Sequence, residues 1–432
     1  MNTTKIGVSQ EGTPFLLNLK YLNRHAYIGG STGSGKTTTV KTIIDTLQSN
    51  NINTLVFDAK GDLSVIANHY HTNLYDYYNE KGLHIQMSLS DLSALELGNM
   101  LELTQAQQDT FSICLLYARN NGYIIDNYND LNNTLLTIVD ILNNDVSALS
   151  HYGYVSKTSV QTLMRKIKVS ELNGDHIVFD YSDYTPIQAI DNQSTIINSQ
   201  RLVQSPKVYA TIVSSTLNTL YNQLEEVGDI EKPRLAIFID EAHLLFNNAP
   251  KQSIKDITQI IKLIRSKGVS IFFISQLSTD VPQDIFSQLS LKIQHHINIA
   301  TRSDYQDLKA LAFAFGDYDK LKETEQQIKD LAIGQAITIQ RNSKGIEQGI
   351  YQIVLPHTTT TKELNQSILE QIEKHKTLKS SVSHTNAPTI NETKEKVYVD
   401  KEKVSFNTGD IKAILWIITI IAVIGSFLFI RV

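Results

Sequence analysis

Cysteine, tryptophan and proline are scarce in this 432-residue chain, which has one, one and eight of them. The lone Cys114 excludes an internal disulfide and a cysteine-built metal cage, which suits a reducing cytosol. It sits among apolar residues between Phe111 and Leu116 and is expected in the core. An excess of basic charge is also missing: 39 Lys and Arg against 44 Asp and Glu give a formal net charge of −5. Bulk charge therefore does not mark a nucleic-acid binder, and any DNA contact has to come from a local basic surface. His69, His71, His295 and His296 lack acidic partners at metal-ligand spacing. The first ten residues, MNTTKIGVSQ, contain no apolar segment of signal-peptide type.

What is present is globular material, 41% hydrophobic. At ~150 residues per domain it suffices for about two to three domains, or one large α/β domain with insertions. Residues 5–20 read as a strand pair around Glu11 and Gly12, and residues 25–30 as a short strand ending in glycines. A helix follows over 37–47, with Val40, Ile43, Ile44 and Leu47 on one face. Residues 54–58, 235–240 and 269–275 are apolar runs of buried-strand type, and short strands are expected at 175–180 and 194–198. Helical patterns fill 92–168 and 207–224, and a stripe of Ile254, Ile257, Ile260, Ile261 and Ile264 predicts a helix stopping at Gly268. Apolar strands alternating with helices predict an α/β fold, a mainly parallel sheet with helices on both faces.

Composition divides the chain into an N-terminal strand segment (1–24), a main domain (25–356) with an insertion at about 92–200, and a polar linker (357–410). One amphipathic helix, marked by Leu364, Ile368, Leu369 and Ile372, interrupts a linker that otherwise reads as a flexible tether. Residues 413–430 run for 18 positions without a charge, about 27 Å as a helix. Trp416, Lys412 and Arg431 flank this run as they would a bilayer span, so residues 411–430 are expected to form a single-pass membrane anchor. Two residues follow it. The main domain then belongs on the cytoplasmic side, where ATP is.

The strongest chemical signal is Gly30-Ser31-Thr32-Gly33-Ser34-Gly35-Lys36-Thr37, followed by Thr38, after a strand and opening a helix. Such a loop turns backbone N–H groups and a helix N-terminus toward phosphate oxygens. Lys36 is expected on the β- and γ-phosphates of ATP and the Thr37 hydroxyl on Mg²⁺. Asp240 and Glu241 end an apolar strand. Asp240 is expected to share the metal, and Glu241 to polarise the attacking water. Asp240-Glu241-Ala242-His243 spells the box of a helicase class, but the tandem core and the further motifs of that class are missing. His243 is expected to support rather than catalyse. Gln276, at the end of the 269–275 strand, is a candidate sensor of the γ-phosphate; Asp58, with Lys60-Gly61-Asp62, ends the 54–58 strand, also faces the site and is expected to support it. Arg265 is the first candidate for an arginine finger and Arg302 the second. The lysines at 251, 255, 262 and 267, with Arg265, form a basic stretch that suits DNA or a solvated helix face equally. Arg165, Lys166 and Lys168 are expected on a helix surface.

The pattern resembles the HerA-like branch of the HerA/FtsK P-loop ATPases. Four stretches carry the likeness: Asn23-Arg24-His25 with the P-loop; residues 57–64, FDAKGDLS; residues 204–211, QSPKVYAT; and Lys232-Pro233 through the Asp240 strand to Gly268. It covers roughly residues 6–354. The resemblance implies a RecA-like core in a hexameric ring, with ATP between subunits and DNA in the pore. It carries over Lys36, Thr37, Asp240, Glu241 and Gln276 as functional positions, and Arg265 as a basic one. Where the family has Asn-Arg before a Gln-His strand end, this chain has Leu291-Lys292-Ile293-Gln294-His295. The archaeal N-terminal barrel is absent ahead of the P-loop, and the family does not lead one to expect a C-terminal span. The expected function is an ATP-driven DNA translocase or helicase-like motor, with DNA, sister copies, a membrane and a partner nuclease as partners. A protein-moving motor and a nucleotide-dependent recruitment switch stand as alternatives.

Overall fold

The computed structural model describes residues 3–383 apart from 70–71, 180–192, 229, 248–250, 316–317, 343–344 and 354–362. The strands are β1 (Thr3–Val8), β2 (Pro14–Asn18), β3 (Ala26–Gly29), β4 (Asn53–Asp58), β5 (Asn73–Asp76), β6 (Leu83–His84), β7 (Thr195–Asn198), β8 (Leu235–Ile239), β9 (Val269–Ser275), β10 (Leu291–Gln294), β11 (Gln335–Asn342) and β12 (Gly345–Ile353). They form one sheet in the order β2-β1-β12-β11-β10-β3-β9-β8-β4-β7-β5-β6. From β10 to β6 every pairing is parallel, as expected. The remaining four strands add an antiparallel wing that the sequence reading gave only as the 5–20 strand pair.

Alternation along the central strands builds the core. In β8, Leu235, Ile237 and Ile239 enter one apolar cluster while Ala236 and Phe238 enter the other. In β9, Ile271 and Phe273 go one way and Phe272 and Ile274 the other. Side chains of a strand point to opposite faces in turn, so both faces need cover. Helix α1 (Lys36–Ser49) covers one face through Val40, Ile43, Ile44 and Leu47, the stripe predicted from spacing. The other face is covered by α7 (Pro206–Gln223) and α9 (Lys251–Ile264), with the insertion helices in the same core. Phe238 stacks on Phe272 at 4.4 Å between ring centroids, and burying each such ring contributes about 1.5–3 kcal/mol.

The insertion between β6 and β7 is helical, as its pattern predicts: α2 (Ala94–Met100), α3 (Gln105–Asn120), α4 (Tyr128–Asn144), α5 (Val146–Tyr152) and α6 (Lys157–Leu172). Ser93 with Glu96 and Thr104 with Gln107 close capping boxes that start α2 and α3. Cys114 of α3 is fully buried in the core. The strand expected at 175–180 is instead a 3₁₀ turn over Asp175–Phe179. The Asp175 carboxylate accepts from Ser170 Oγ and Ser205 Oγ, at 2.7 and 2.9 Å, which ties the turn to α6 and to the start of α7. Val178 and Phe179 then enter the core from a turn, so their apolar character does not report a strand.

Past β12, the predicted linker helix appears as α13 (Gln366–Ser383). It is docked rather than free: Ile372 is buried, Leu364 and Ile368 pack on the α1-side core, and Asn68 bonds Glu363 O and Asn365 N. The expected membrane span at 411–430 lies outside the described residues. Among the described residues no helix is long and apolar enough to cross a membrane.

His25 fixes the sheet edge where β9 begins. It takes a left-handed φ of 64° and is buried. Its Nε2 donates to Ile261 O at 2.7 Å and its Nδ1 accepts from Ile271 N at 3.0 Å, so the neutral ring satisfies both partners. Burial pushes its pKa down to about 4, Arg265 adds to this, and the Ile261 carbonyl opposes it. The unfolded chain accepts a proton that the folded one refuses, so this stability is complete above pH 6.5 and is lost as pH falls toward about 4. Between pH 7 and pH 5 the expected loss is about 2 kcal/mol. Urea titrations at the two pH values check this, and the drop should shrink in His25→Gln.

Candidate active site

The phosphate-type loop joins β3 to α1 and is bent by glycines at φ 142° (Gly30), 80° (Gly33) and 118° (Gly35). A Cβ on Gly30 would lie 2.7 Å from both His295 Cβ and Ser34 Oγ, and one on Gly35 would lie 3.0 Å from Gly334 Cα. Only glycine fits a loop held this closely. Ser31 N donates to His296 O at 2.9 Å, Gly334 N to Ser34 O at 2.9 Å, and Asn298 N to Ser31 Oγ at 2.6 Å. Lys36, Thr37 and Thr38 form the first turn of α1, whose N–H groups have no carbonyl four residues back to bond. The Lys36 ammonium curls onto Gly30 O and Ser31 O. Burial lowers its pKa to about 8, Lys60 assists, and Glu241 and Asp240 oppose.

The predicted second half is there as well. Asp240 and Glu241 follow β8 at the carboxyl edge that also carries the P-loop, with β9 between β8 and β3. Glu241 takes φ 51°, a left-handed conformation that costs a non-glycine residue about 1 kcal/mol or more. Asp240 Oδ1 accepts from Glu241 N at 3.0 Å, and Tyr209 Oη of α7 donates to Asp240 O at 2.8 Å. Burial raises the Asp240 pKa to about 7 against the pull of Lys60. Lys60 forms an ion pair with Glu241 Oε1. His243 Nδ1 lies 3.1 Å from Oε2 but off the hydrogen-bond direction, leaving that buried oxygen without an aligned donor. Burial works against the charge of Glu241, yet His243 and Lys60 outweigh it and hold the carboxyl down to about 2. His243 thus stands against the Glu241 carboxylate. Asp58 acts through its loop: it accepts from Gly61 N, Leu63 N and Ser64 Oγ at 2.8–3.0 Å.

Gln276 is exposed just past the last residue of β9, at the same edge. The two arginine candidates separate. Arg302 opens α11 (Arg302–Phe315) after β10, on the P-loop side, and the segment leading to it touches Ser31. Arg265 lies ahead of β9, at the opposite edge of the parallel sheet, and does not join this chain's own P-loop. It lines a cleft there with Arg24 and Lys262. The basic stretch around it is partly neutralised, Lys262 by Asp284 at 3.6 Å and Lys267 by Glu226 at 3.8 Å. In the insertion, Lys168 pairs with Glu171 and Lys166 reaches the Leu101 and Glu102 carbonyls, an ordinary helix surface.

Sequence reading placed Lys60 at the site without its pairing to Glu241, and missed Tyr209, Arg24 and the ring of His295. Buried His295 donates from Nδ1 to Gln335 O at 2.7 Å, and Nε2 of its neutral ring accepts from Thr39 Oγ1 at 2.8 Å, which braces the helix that follows the P-loop. Each belongs to a stretch carrying the family resemblance or to its departure at 291–295, which was the available signal.

The donor set fits a magnesium triphosphate. Amide N–H groups and an ammonium suit phosphate oxygens, while a hydroxyl and a buried carboxylate suit a hard dication. The comparisons agree on the fold. The TrwB conjugative coupling protein, in its unbound monoclinic form, is 14% identical over 83% of this chain and 91% of that one, with a TM-score of 0.57. Its complex with ADP and Mg²⁺ gives a TM-score of 0.59 at 14% identity, over 84% and 93%. VirB4 of Thermoanaerobacter pseudethanolicus gives 0.60 at 14% identity, over 82% and 98%. No curated protein matches the sequence. The family described as helicase HerA-like C-terminal matches residues 3–73 and 65–390. The chain belongs to the HerA-like helicase family.

Proposed function

We propose that this chain is a Mg²⁺-dependent ATPase whose turnover drives a ring-shaped motor along DNA. The observation that carries the ATPase reading is the meeting of Lys36 with Asp240 and Glu241 at one sheet edge, close enough for their charges to act on its ammonium. Bound Mg²⁺–ATP supplies the reacting γ-phosphoryl group and a dication to offset its charge. Lys36 and the first-turn amides of Lys36, Thr37 and Thr38 bind phosphate oxygens. The Thr37 hydroxyl and Asp240 hold the metal, and Tyr209 fixes the turn that presents Asp240. Glu241 accepts the proton of the attacking water, and Gln276 stands at the end of the intervening strand to bond that water or the phosphate. Structures of TrwB with ADP and Mg²⁺ and with an ATP analogue support the choice of cofactor.

Membership of a helicase family supports DNA as the track. Arg265 and Arg24 lie together at the edge opposite this chain's P-loop, where a finger role requires a neighbouring copy, and this supports a ring. The uncharged run at 413–430 supports a single-pass membrane anchor with the catalytic part in the cytoplasm.

The test is ATP turnover with and without duplex and single-stranded DNA, on chain ending at residue 410. DNA is expected to raise the rate several-fold. Lys36→Ala should remove the activity and weaken nucleotide binding about 10- to 100-fold, the worth of a charge-assisted phosphate contact. Turnover indifferent to DNA but raised by a protein partner would replace the DNA motor with a protein-moving one.

A further inference from the structure

Two lysines, Lys36 and Lys60, stand close to the Glu241 turn. Lys60 follows β4 in a loop whose backbone is held firmly. Asp58 binds three groups of that loop. Gln200 Nε2 donates to Lys60 O, and its side chain lies 2.5 Å from where a Gly61 Cβ would stand, with Gly61 at φ 78°. The backbone cannot shift cheaply, so the long Lys60 side chain is the movable part. That side chain is 39% exposed, against 12% for the Glu241 side chain it pairs with. Lys60 also adds to the lowering of the Lys36 pKa, which places its charge beside the phosphate-binding ammonium.

An ammonium on Oε1 makes a poor resting state for a base. It neutralises the carboxylate and holds it away from the role of proton acceptor. A triphosphate carries several negative charges against one on Glu241, and a partly exposed lysine will follow the stronger field. We propose that Lys60 is a second phosphate-binding lysine, resting on Glu241 and leaving it for the terminal phosphate of a bound triphosphate. Glu241 is thereby released only when there is a γ-phosphate to attack. This rests on the ATPase reading above and adds to it a means of distinguishing ATP from ADP.

The test is equilibrium binding to the full chain of fluorescent ADP and of a non-hydrolysable fluorescent ATP analogue, both with Mg²⁺. Lys60→Met should bind the analogue about tenfold more weakly while ADP affinity stays within about twofold, since one charge-assisted contact to the terminal phosphate is lost. Lys60→Arg should recover most of the difference. Glu241→Gln, which removes the resting partner, should tighten analogue binding a few-fold, and this gain should vanish when it is combined with Lys60→Met. Equal loss of both nucleotides in Lys60→Met, or loss of neither, overturns the proposal, as does a Glu241→Gln gain that persists without Lys60. A natural-sequence chain that binds neither nucleotide overturns the ATPase reading and this proposal with it. Far-UV circular dichroism at the temperature of the binding assay, expected to show Lys60→Met and Lys60→Arg as folded as the natural-sequence chain, separates these outcomes from misfolding.

Discussion

Glu241→Gln should leave ATP bound and slow its hydrolysis by about 10²–10⁴-fold, the range of a lost general base. Glutamine keeps the length and shape of the side chain and tolerates φ 51° no worse than glutamate, so the turn after β8 is preserved. What it loses is the ability to take a proton. Oε2 is the oxygen at issue, because Oε1 meets Lys60 while Oε2 is buried without an aligned donor. Phosphate release in the steady state measures the rate, and nucleotide titration measures retained binding. Turnover within a few-fold of the natural chain would remove Glu241 from its role and return the water to Gln276 or to Asp240.

Arg265→Ala should be as inactive as a chain without its finger, about 10³-fold or more in rate, yet be rescued by a second inactive variant. Arg265 lies at the amino edge of β9, whereas the P-loop follows the carboxyl edge of its neighbour β3. Parallel strands hold those edges apart, so a finger role for Arg265 requires an interface between copies. Mixing Arg265→Ala with Lys36→Ala should therefore restore activity, because the first supplies an intact P-loop and the second an intact arginine. With random assortment around a ring of head-to-tail interfaces, roughly a quarter of the sites would be whole. Arg24 shares the cleft and belongs to the same complementation group. If Arg302, on the P-loop side, is the finger, Arg265→Ala alone will keep its rate and Arg302→Ala will fail to be rescued in the mixture.

The meeting of Lys36, Asp240 and Glu241 at one sheet edge was legible because its signals are local. The P-loop, the apolar β8 run and the acidic pair after it are each written in consecutive residues, and parallel-strand logic brings them to one edge. The edge assignment of Arg265 was also within reach: a residue just ahead of a parallel strand lies opposite one just after it. The partner of Lys60, and Tyr209 and Arg24 altogether, were harder, since each acts on a partner 31 or more positions away or on a cleft assembled from separate segments. The 3₁₀ turn at Asp175–Phe179 defeated a strand assignment because its apolar residues are buried by tertiary contacts, not by a ladder. β11 and β12 went unread because their alternating polar residues, such as Gln335, Thr338 and Gln340, lack the continuous apolar run of a buried strand.

The antiparallel wing carries a burden into biosynthesis. β1 lies against β12, with Gly7 facing Ile353, so β1 is bound by a strand made about 340 residues after it. At roughly 5–20 residues per second, a ribosome leaves β1 waiting on the order of 20–70 s for that neighbour. During this interval its open edge is a template for any passing strand, and Lys5 is the charged residue placed to discourage it.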